Sequence, residues 1–438
     1  MQAGVVAMSL LTAVARKLFR TGSITLTEPD GTVSTFGDGT GEHVHVAIRT
    51  NAAARAIAVD PMLAMPEAYM NGTFEVLEGD ILGFLRIAYV NANRKGANPL
   101  FTRIVEGSRV LLRRFQQINT LARARENVHR HYDLSGEMYR LFLDADMQYS
   151  CAYFERPEMT LDEAQEAKRR HIAAKLDMKP GLSVLDIGSG WGGLGLYLAR
   201  RFDAEVLGVT LSTEQHAVST ERARQEGLEN QAHFELRDYR KLSERFDRIV
   251  SVGMFEHVGV NHYRTFFDKA ATLLKPDGTM LLHTIGRSGP PTATNAFIRK
   301  YIFPGGYIPA MSEVLPAVEK AGLVITDVEV LRLHYAETLK HWRARFIANR
   351  KRAVEIYDEK FARMWEFYLA GSEAAFRWQD LVVFQFQITK RNDTLPITRE
   401  YIIRAEDALR KTARSGPERP KPVQKQRRRT LSRSDHKS

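Results

Sequence analysis

The segment that most constrains this chain is Ser183-Val184-Leu185-Asp186-Ile187-Gly188-Ser189-Gly190-Trp191-Gly192-Gly193, followed by the helix-patterned Leu194–Arg201. A short aliphatic run that turns through glycines into an amphipathic stretch is a strand, a tight turn and a helix. Gly188 and Gly190 allow backbone to pass against a ligand where a Cβ would collide, and Asp186 at the strand end can orient the loop amides. A dinucleotide site wants G-x-G-x-x-G with helix amides on a pyrophosphate; the spacing here is D-x-G-x-G-x-G.

The texture beyond Met178 extends that unit. Strand-like runs at Ser183–Ile187, Glu205–Leu211, Ala232–Leu236, Arg248–Val252, Met280–Ile285, Val324–Val330 and Val382–Thr389 alternate with helix-length segments, including Glu337–Asn349 and Ala353–Leu369. This pattern predicts an α/β, doubly wound, Rossmann-like sheet with a last strand added late. Residues 1–120 read as a smaller N-terminal α+β domain. There Val44, Val46 and Ile48 alternate with polar neighbours as in a half-buried strand, and Pro61–Ala92 reads as mainly helical, with Ile81, Phe84, Leu85 and Ala88 on one face. The basic stretch Arg113–Arg130 is a helical connector, and residues 121–410 form the second domain.

Charge and composition narrow the function. Of the formal net charge of +11, residues 411–438 supply most, with ten Lys and Arg against Glu418 and Asp435. Proline-bearing and without aromatics, this basic tail is expected to be disordered. The near-balanced remainder does not read as a nucleic-acid-binding fold, and an aromatic-free tail cannot stack bases, so an anionic phospholipid surface is the expected partner of the tail and no nucleic acid is expected. The single cysteine, Cys151, closes no intramolecular disulfide and fits a reducing compartment, the cytosol by default. The apolar Ala3–Ala15 stretch has no preceding cation and is too short to span a bilayer, so the expected localisation is cytoplasmic, with peripheral contact to the inner face of the membrane.

The glycine turn resembles motif I of S-adenosylmethionine-dependent methyltransferases. The next strand ends in Thr210-Leu211-Ser212-Thr213-Glu214-Gln215, with Thr210 where an acidic residue often holds ribose hydroxyls, and Asp238-Tyr239 suits the adenine side. His131–Leu134, Met147–Phe154, Val184–Gly193, Phe246–Gly259, Leu281–Gly286 and Lys300–Gly306 together resemble the cyclopropane-fatty-acyl-phospholipid synthase family, including its mycolic acid cyclopropane synthase relatives, over residues 127 to 390. Glu67-Ala68-Tyr69-Met70-Asn71-Gly72 resembles a stretch of the N-terminal domain of the longer, phospholipid-acting members. The aliphatic side chains of residues 1–120 read first as core packing, with a lipid-binding surface as the alternative.

The resemblance implies that Tyr132, Tyr149, Ser150, Asp186, Gly188, Ser189, Gly190, Thr210, Leu211, Gln215, Asp238 and Tyr239 contact or enclose S-adenosylmethionine. Ser189 departs from the commoner cysteine, which a backbone-lined loop tolerates. It also implies a bicarbonate ion held by Cys151, Glu256, His283, the backbone of Ile285, and Tyr335, with no metal; a homodimer is compatible with the family. Taken alone, His283 inside an apolar strand reads as a core histidine, Glu256 as a helix cap and Cys151 as a small core residue.

The implied reaction is transfer of a methylene unit to the cis double bond of unsaturated phospholipid acyl chains. An alkene attacked by a sulfonium methyl becomes a carbocation, so the site must exclude water, offer aromatic faces and present a base. Tyr335, Phe255 and Tyr153 are the expected aromatic wall, and Arg287–Met311 is either a lid or a packed insertion. Two carboxyl-type anions repel, so Glu256 is expected to hold a proton or accept one from the bicarbonate hydroxyl. Alternatives are C-methylation to a methylene- or methyl-branched chain, methylation of a small molecule or RNA, and a non-catalytic lipid- or nucleic-acid-binding protein.

Overall fold

The computed structural model describes residues 9–92 and 135–414. The connector 113–130, Tyr132 and the boundary set between residues 120 and 121 lie outside the described residues.

The first part begins with α1 (Leu10–Leu18), β1 (Ser23–Thr27), β2 (Val33–Gly37) and β3 (His43–Ile48). It continues through α2 (Asn51–Val59), α3 (Pro61–Met70), β4 (Phe74–Glu78) and α4 (Ile81–Ala92). Its four strands form one sheet in the order β2-β1-β3-β4, with β1 and β3 parallel. The alternation of β3 is as expected: Val44, Val46 and Ile48 are buried. Pro61–Ala92 is not continuously helical, because β4 intervenes; Gly72, at φ +71°, makes the turn into it. Side-chain period alone does not separate a five-residue strand from the adjoining helices.

The second part opens with α5 (Gly136–Arg140) and α6 (Leu161–Lys175). A capping box starts α6: the Glu163 N–H donates to Thr160 Oγ1 at 3.3 Å and the Thr160 N–H to Glu163 Oε2 at 2.8 Å. The alternating run follows as β5 (Ser183–Ile187), α7 (Gly193–Phe202), β6 (Glu205–Thr210), α8 (Thr213–Gln225), β7 (Ala232–Leu236) and β8 (Phe246–Val252). Next come α9 (Tyr263–Leu273), β9 (Leu274–Arg287), α10 (Met311–Lys320), β10 (Val324–Leu331) and α11 (His334–Ala348). The chain closes with α12 (Arg350–Ile356), α13 (Glu359–Trp378), β11 (Leu381–Thr389) and α14 (Glu400–Arg414).

The seven-stranded sheet has the order β10-β11-β9-β8-β5-β6-β7, parallel except that β11 runs antiparallel to both β9 and β10. From β5 the chain winds outward one way to β7 and then the other way from β8, so a topological switch point opens beyond the carboxyl ends of β5 and β8. The expected helix Ala353–Leu369 is two helices, because the chain turns at Tyr357 and Asp358 caps α13 through the Phe361 N–H at 2.6 Å. The expected tail start is also corrected, since 411–414 belong to α14 and 415–438 lie outside the described residues.

Helix α13 packs against both α3 and α4. The Arg363 guanidinium donates to the carbonyls of Tyr69 (2.5 Å) and Phe74 (3.2 Å) and lies 4.6 Å above the Tyr69 ring. Glu67 accepts from Lys300 Nζ at 2.6 Å and from the Tyr301 hydroxyl at 2.7 Å. The Glu67–Gly72 motif is therefore a seam between the two sheets' layers.

Candidate active site

At the switch point a cavity of about 170 Å³ is lined by the residues that follow β5, β6, β7 and β8. Gly188, at φ +83°, makes the turn after β5; a Cβ there would come within 2.7 Å of Met254 Cβ. Thr210 locks the next turn, accepting from the Ser212 N–H at 3.1 Å and donating to Gln215 Oε1 at 2.9 Å. Ser212 then caps α8 through the Gln215 N–H. Asp238 accepts from Arg240 through its N–H and guanidinium; burial raises this carboxyl, but the Arg240 contacts outweigh it and hold it below the usual range.

Tyr149, Ser150, Asp186, Gly188, Ser189, Gly190, Thr210, Leu211, Gln215, Asp238 and Tyr239 all line this cavity. The structure brings them together; Tyr132 alone among the expected donor contacts is outside the described residues. Asp186 is buried, which pushes its carboxyl up to about 7 against the pull of Lys168. Lys168, on α6, is a wall residue with no sequence signal. Its Nζ donates to Ser150 Oγ at 2.7 Å, and burial pushes it down to about 8.

A second cavity, of about 390 Å³, adjoins the first: Tyr149, Ser150, Gly253 and His257 line both. Burial pushes His257 down to about 4, so a neutral ring stands at this doorway near neutral pH. Cys151, Glu256, His283, Ile285 and Tyr335, which come from four separate parts of the chain with His283 and Ile285 both on β9, all line the second cavity. Its walls are largely apolar, with Phe297, Phe367 and Phe376 among them.

The chemistry of that group is set by burial. Glu256 Oε1 accepts from the Ile285 N–H at 2.6 Å, while Oε2 is buried with no hydrogen-bond partner among the described residues. Burial pushes this carboxyl up to about 7, with the Ile285 N–H acting in the other direction. His283 is held well below its ordinary value by burial and by the nearby cations Lys168 and Lys175, so it is neutral. Its Nδ1 accepts from Gln385 Nε2 at 3.1 Å across the β9–β11 pair, which leaves the ring proton on Nε2. Burial pushes the Cys151 thiol up, and Sγ donates to the Ala152 carbonyl at 3.3 Å, so the thiol is not a nucleophile.

Two expected wall residues are misplaced. Phe255 is fully buried in the core, its ring stacked 4.3 Å from Tyr263, and Tyr153 is sandwiched between His171 and His334 at 4.2 and 5.0 Å. Neither is among the residues lining the second cavity; Tyr335 is, its ring 4.9 Å from Phe376. The segment after β9 is packed, with Phe297 and Ile302 buried around a π-helical turn at Ile298–Ile302, and it forms part of the wall. Gln385 had a signal in the sequence: with Gln387 it interrupts an otherwise apolar strand.

Comparisons with known proteins agree with this layout. The family model described as mycolic acid cyclopropane synthetase matches residues 119–386, and that of a domain of unknown function (DUF7884) matches residues 12–98. The chain is 39% identical over 348 residues to a "Probable fatty acid methyltransferase" of Pseudomonas putida, covering 77% of this chain and 86% of that protein. It is 39% identical over 323 residues to the cyclopropane-fatty-acyl-phospholipid synthase of Escherichia coli K12, covering 74% of this chain and 82% of the other. The crystal structure of mycolic acid cyclopropane synthase CmaA1 complexed with SAH and CTAB superposes with a TM-score of 0.58 at 38% identity, over 60% of this chain and 97% of that one. Fold, cavity and sequence relationship together make this chain a member of the mycolic acid cyclopropane synthetase family, with the fold of an S-adenosylmethionine-dependent methyltransferase.

Proposed function

We propose that this protein binds S-adenosylmethionine in the smaller cavity and transfers a methylene unit to the cis double bond of an unsaturated phospholipid acyl chain lying in the larger one. The observation that carries the reading is the doorway: Tyr149, Ser150, Gly253 and His257 belong to both cavities, so a donor methyl and an acyl chain can meet there out of water. The complex of a relative with SAH and CTAB, a long-alkyl detergent, supports the same pairing of donor and chain.

S-adenosylmethionine supplies an electrophilic sulfonium methyl, and bicarbonate supplies a small base. With the donor held by the residues around the smaller cavity, methyl transfer to an alkene in the larger one would leave a cation on the acyl chain. Loss of a proton from the added methyl then closes the ring. Tyr335 presents an aromatic face to the cation, worth roughly 0.5–2 kcal/mol.

The donor set fits an oxyanion. Neutral His283 offers Nε2–H, and Glu256 with its unpaired Oε2 and a carboxyl near 7 can carry the proton that turns repulsion into a hydrogen bond. Glu256 is fixed by the Ile285 N–H, and the buried Cys151 thiol closes the wall against water.

A second outcome is C-methylation to a branched chain, in which the cation loses a different proton and no ring closes. One experiment separates the readings. Purified protein is incubated with S-adenosylmethionine and vesicles of oleoyl phospholipid, and the acyl chains are identified by mass spectrometry. A gain of one CH2 with loss of the alkene supports ring formation, and the same gain with an alkene retained supports branching. No change to any unsaturated chain rejects the proposal. With no helix among the described residues long and apolar enough to cross a membrane, the substrate is reached from the membrane surface in this reading.

A further inference from the structure

The larger cavity is walled by both parts of the chain. Met62, Met65 and Pro66 on α3 and Leu85 and Tyr89 on α4 line it, together with α13. The CmaA1 structure matches 60% of this chain and 97% of its own, so it lacks a counterpart for much of the remainder, whereas the Escherichia coli phospholipid synthase aligns over 74%. The mycolic acid cyclopropane synthetase family model begins its match at residue 119, so the α3 and α4 wall lies outside the stretch it covers.

The lining is chemically uneven. Around the end of β9 and the start of β11 it is polar, with Arg287, Thr292, Asn295 and Asp380, and Arg287 pairs with Asp380 at 3.1 Å. The stretch between α3, α4 and α13 is apolar apart from Tyr89, Tyr368 and Ser372, and the Tyr368 hydroxyl is paired with that of Tyr149 at 2.9 Å. A phospholipid chain has a polar ester end and an apolar methyl end, so the burial preference of each end orients it in such a cavity.

Gly371 lies in the middle of α13, where glycine costs roughly 0.5–1 kcal/mol relative to alanine. No close contact demands it: a Cβ there would meet nothing nearer than Phe367 Cε1 at 3.7 Å. It lines the cavity, so the missing side chain leaves space for a ligand rather than for a neighbour.

We propose that Gly371, with Met65 and Leu85 of the N-terminal unit, bounds the pocket for the methyl-terminal segment of the acyl chain and so selects the number of carbons beyond the reacting double bond. This rests on the reading of the larger cavity as the acyl site. Gly371→Leu fills the pocket from α13 and Met65→Trp fills it from α3.

The test uses the full chain, S-adenosylmethionine and mixed vesicles of oleoyl, palmitoleoyl and cis-vaccenoyl phosphatidylglycerol, with products quantified by gas chromatography and mass spectrometry. Palmitoleoyl and cis-vaccenoyl chains share one tail length beyond the double bond, and oleoyl has two methylenes more. At the discrimination a hydrophobic pocket gives per methylene, each variant lowers conversion of oleoyl relative to the other two by roughly tenfold or more. That shift in either variant supports the proposal. Ratios unchanged in both variants, or cis-vaccenoyl falling together with oleoyl while palmitoleoyl is spared, overturn it, the latter because selection would follow total length. Failure of the wild-type protein to modify any of the three chains would instead reject the acyl-site reading beneath it.

Discussion

The Ile285 N–H holds one oxygen of Glu256 at 2.6 Å and leaves the other oxygen of the same carboxyl buried and unpaired. An unpaired buried carboxyl oxygen costs stability unless a ligand or a proton satisfies it, so this geometry is an investment in the reaction. Glu256→Gln keeps the shape and removes the titrating oxygen. Turnover is expected to fall by about 10²-fold or more, with S-adenosylmethionine affinity within about threefold of wild type. Steady-state rates together with isothermal titration check this; an equal loss of donor affinity would contradict the role.

The same burial has a signature in stability. Glu256 and Asp186 are both pushed up to about 7 from ordinary values of 4.5 and 3.8, so the folded protein binds these protons more tightly than the unfolded chain. Their contribution is full below the unfolded values and is lost as pH rises through about 7. Ligand-free Glu256→Gln is therefore expected to gain on wild type as pH rises from about 5 to 8, by at most about 3 kcal/mol. Urea unfolding of both proteins across that range measures it; a constant difference would refute the shift.

Gln385 sets the tautomer of His283 by donating to Nδ1 at 3.1 Å. Gln385→Leu leaves a buried ring nitrogen without its donor. The expected result is a turnover loss of about tenfold or more with a changed pH–rate profile and unaltered donor binding. An unchanged profile would show that the pair is only packing.

Gly188 combines φ +83° with a 2.7 Å approach to Met254 Cβ, so even Ala must move backbone or neighbour. Gly188→Ala is expected to weaken S-adenosylmethionine binding by more than about tenfold while the melting temperature falls by only a few degrees. Calorimetric titration beside a thermal melt separates these effects.

At the seam, two cations differ in worth. Lys300 is more than half exposed, so its pair with Glu67 is worth less than about 1 kcal/mol, and Lys300→Ala is expected to be nearly silent. Arg363 serves two carbonyls and the face of Tyr69, and Arg363→Ala is expected to cost about 2 kcal/mol or more and to speed proteolytic release of the N-terminal unit. Denaturant melts and limited trypsin digestion compare the two; equal effects would reject the distinction.

Local chemistry along the chain was enough to place the seven strand runs of the main sheet and the glycine turn at Gly188 and Gly190, while the rest of the residues around the smaller cavity were legible through family resemblance. Strands bounded by turn residues and a glycine-dependent backbone are short-range properties, written in adjacent residues. The grouping of Cys151, Glu256, His283, Ile285 and Tyr335 was legible through family resemblance, since no spacing in the chain places them together. Tertiary packing alone decided the rest. Phe255 and Tyr153 face the core and a histidine stack instead of the cavity, because which way an aromatic ring in an irregular segment points depends on neighbours distant in sequence. Lys168 and Gln385 joined the site through contacts to Ser150 and His283, 18 and 102 residues away, and α3 and α4 came to wall the larger cavity by packing against an α13 that lies hundreds of residues later. Burial also decided protonation: Glu256 taken alone reads as a helix cap in the chain and becomes a group near 7 only once the folded protein has taken water away from it.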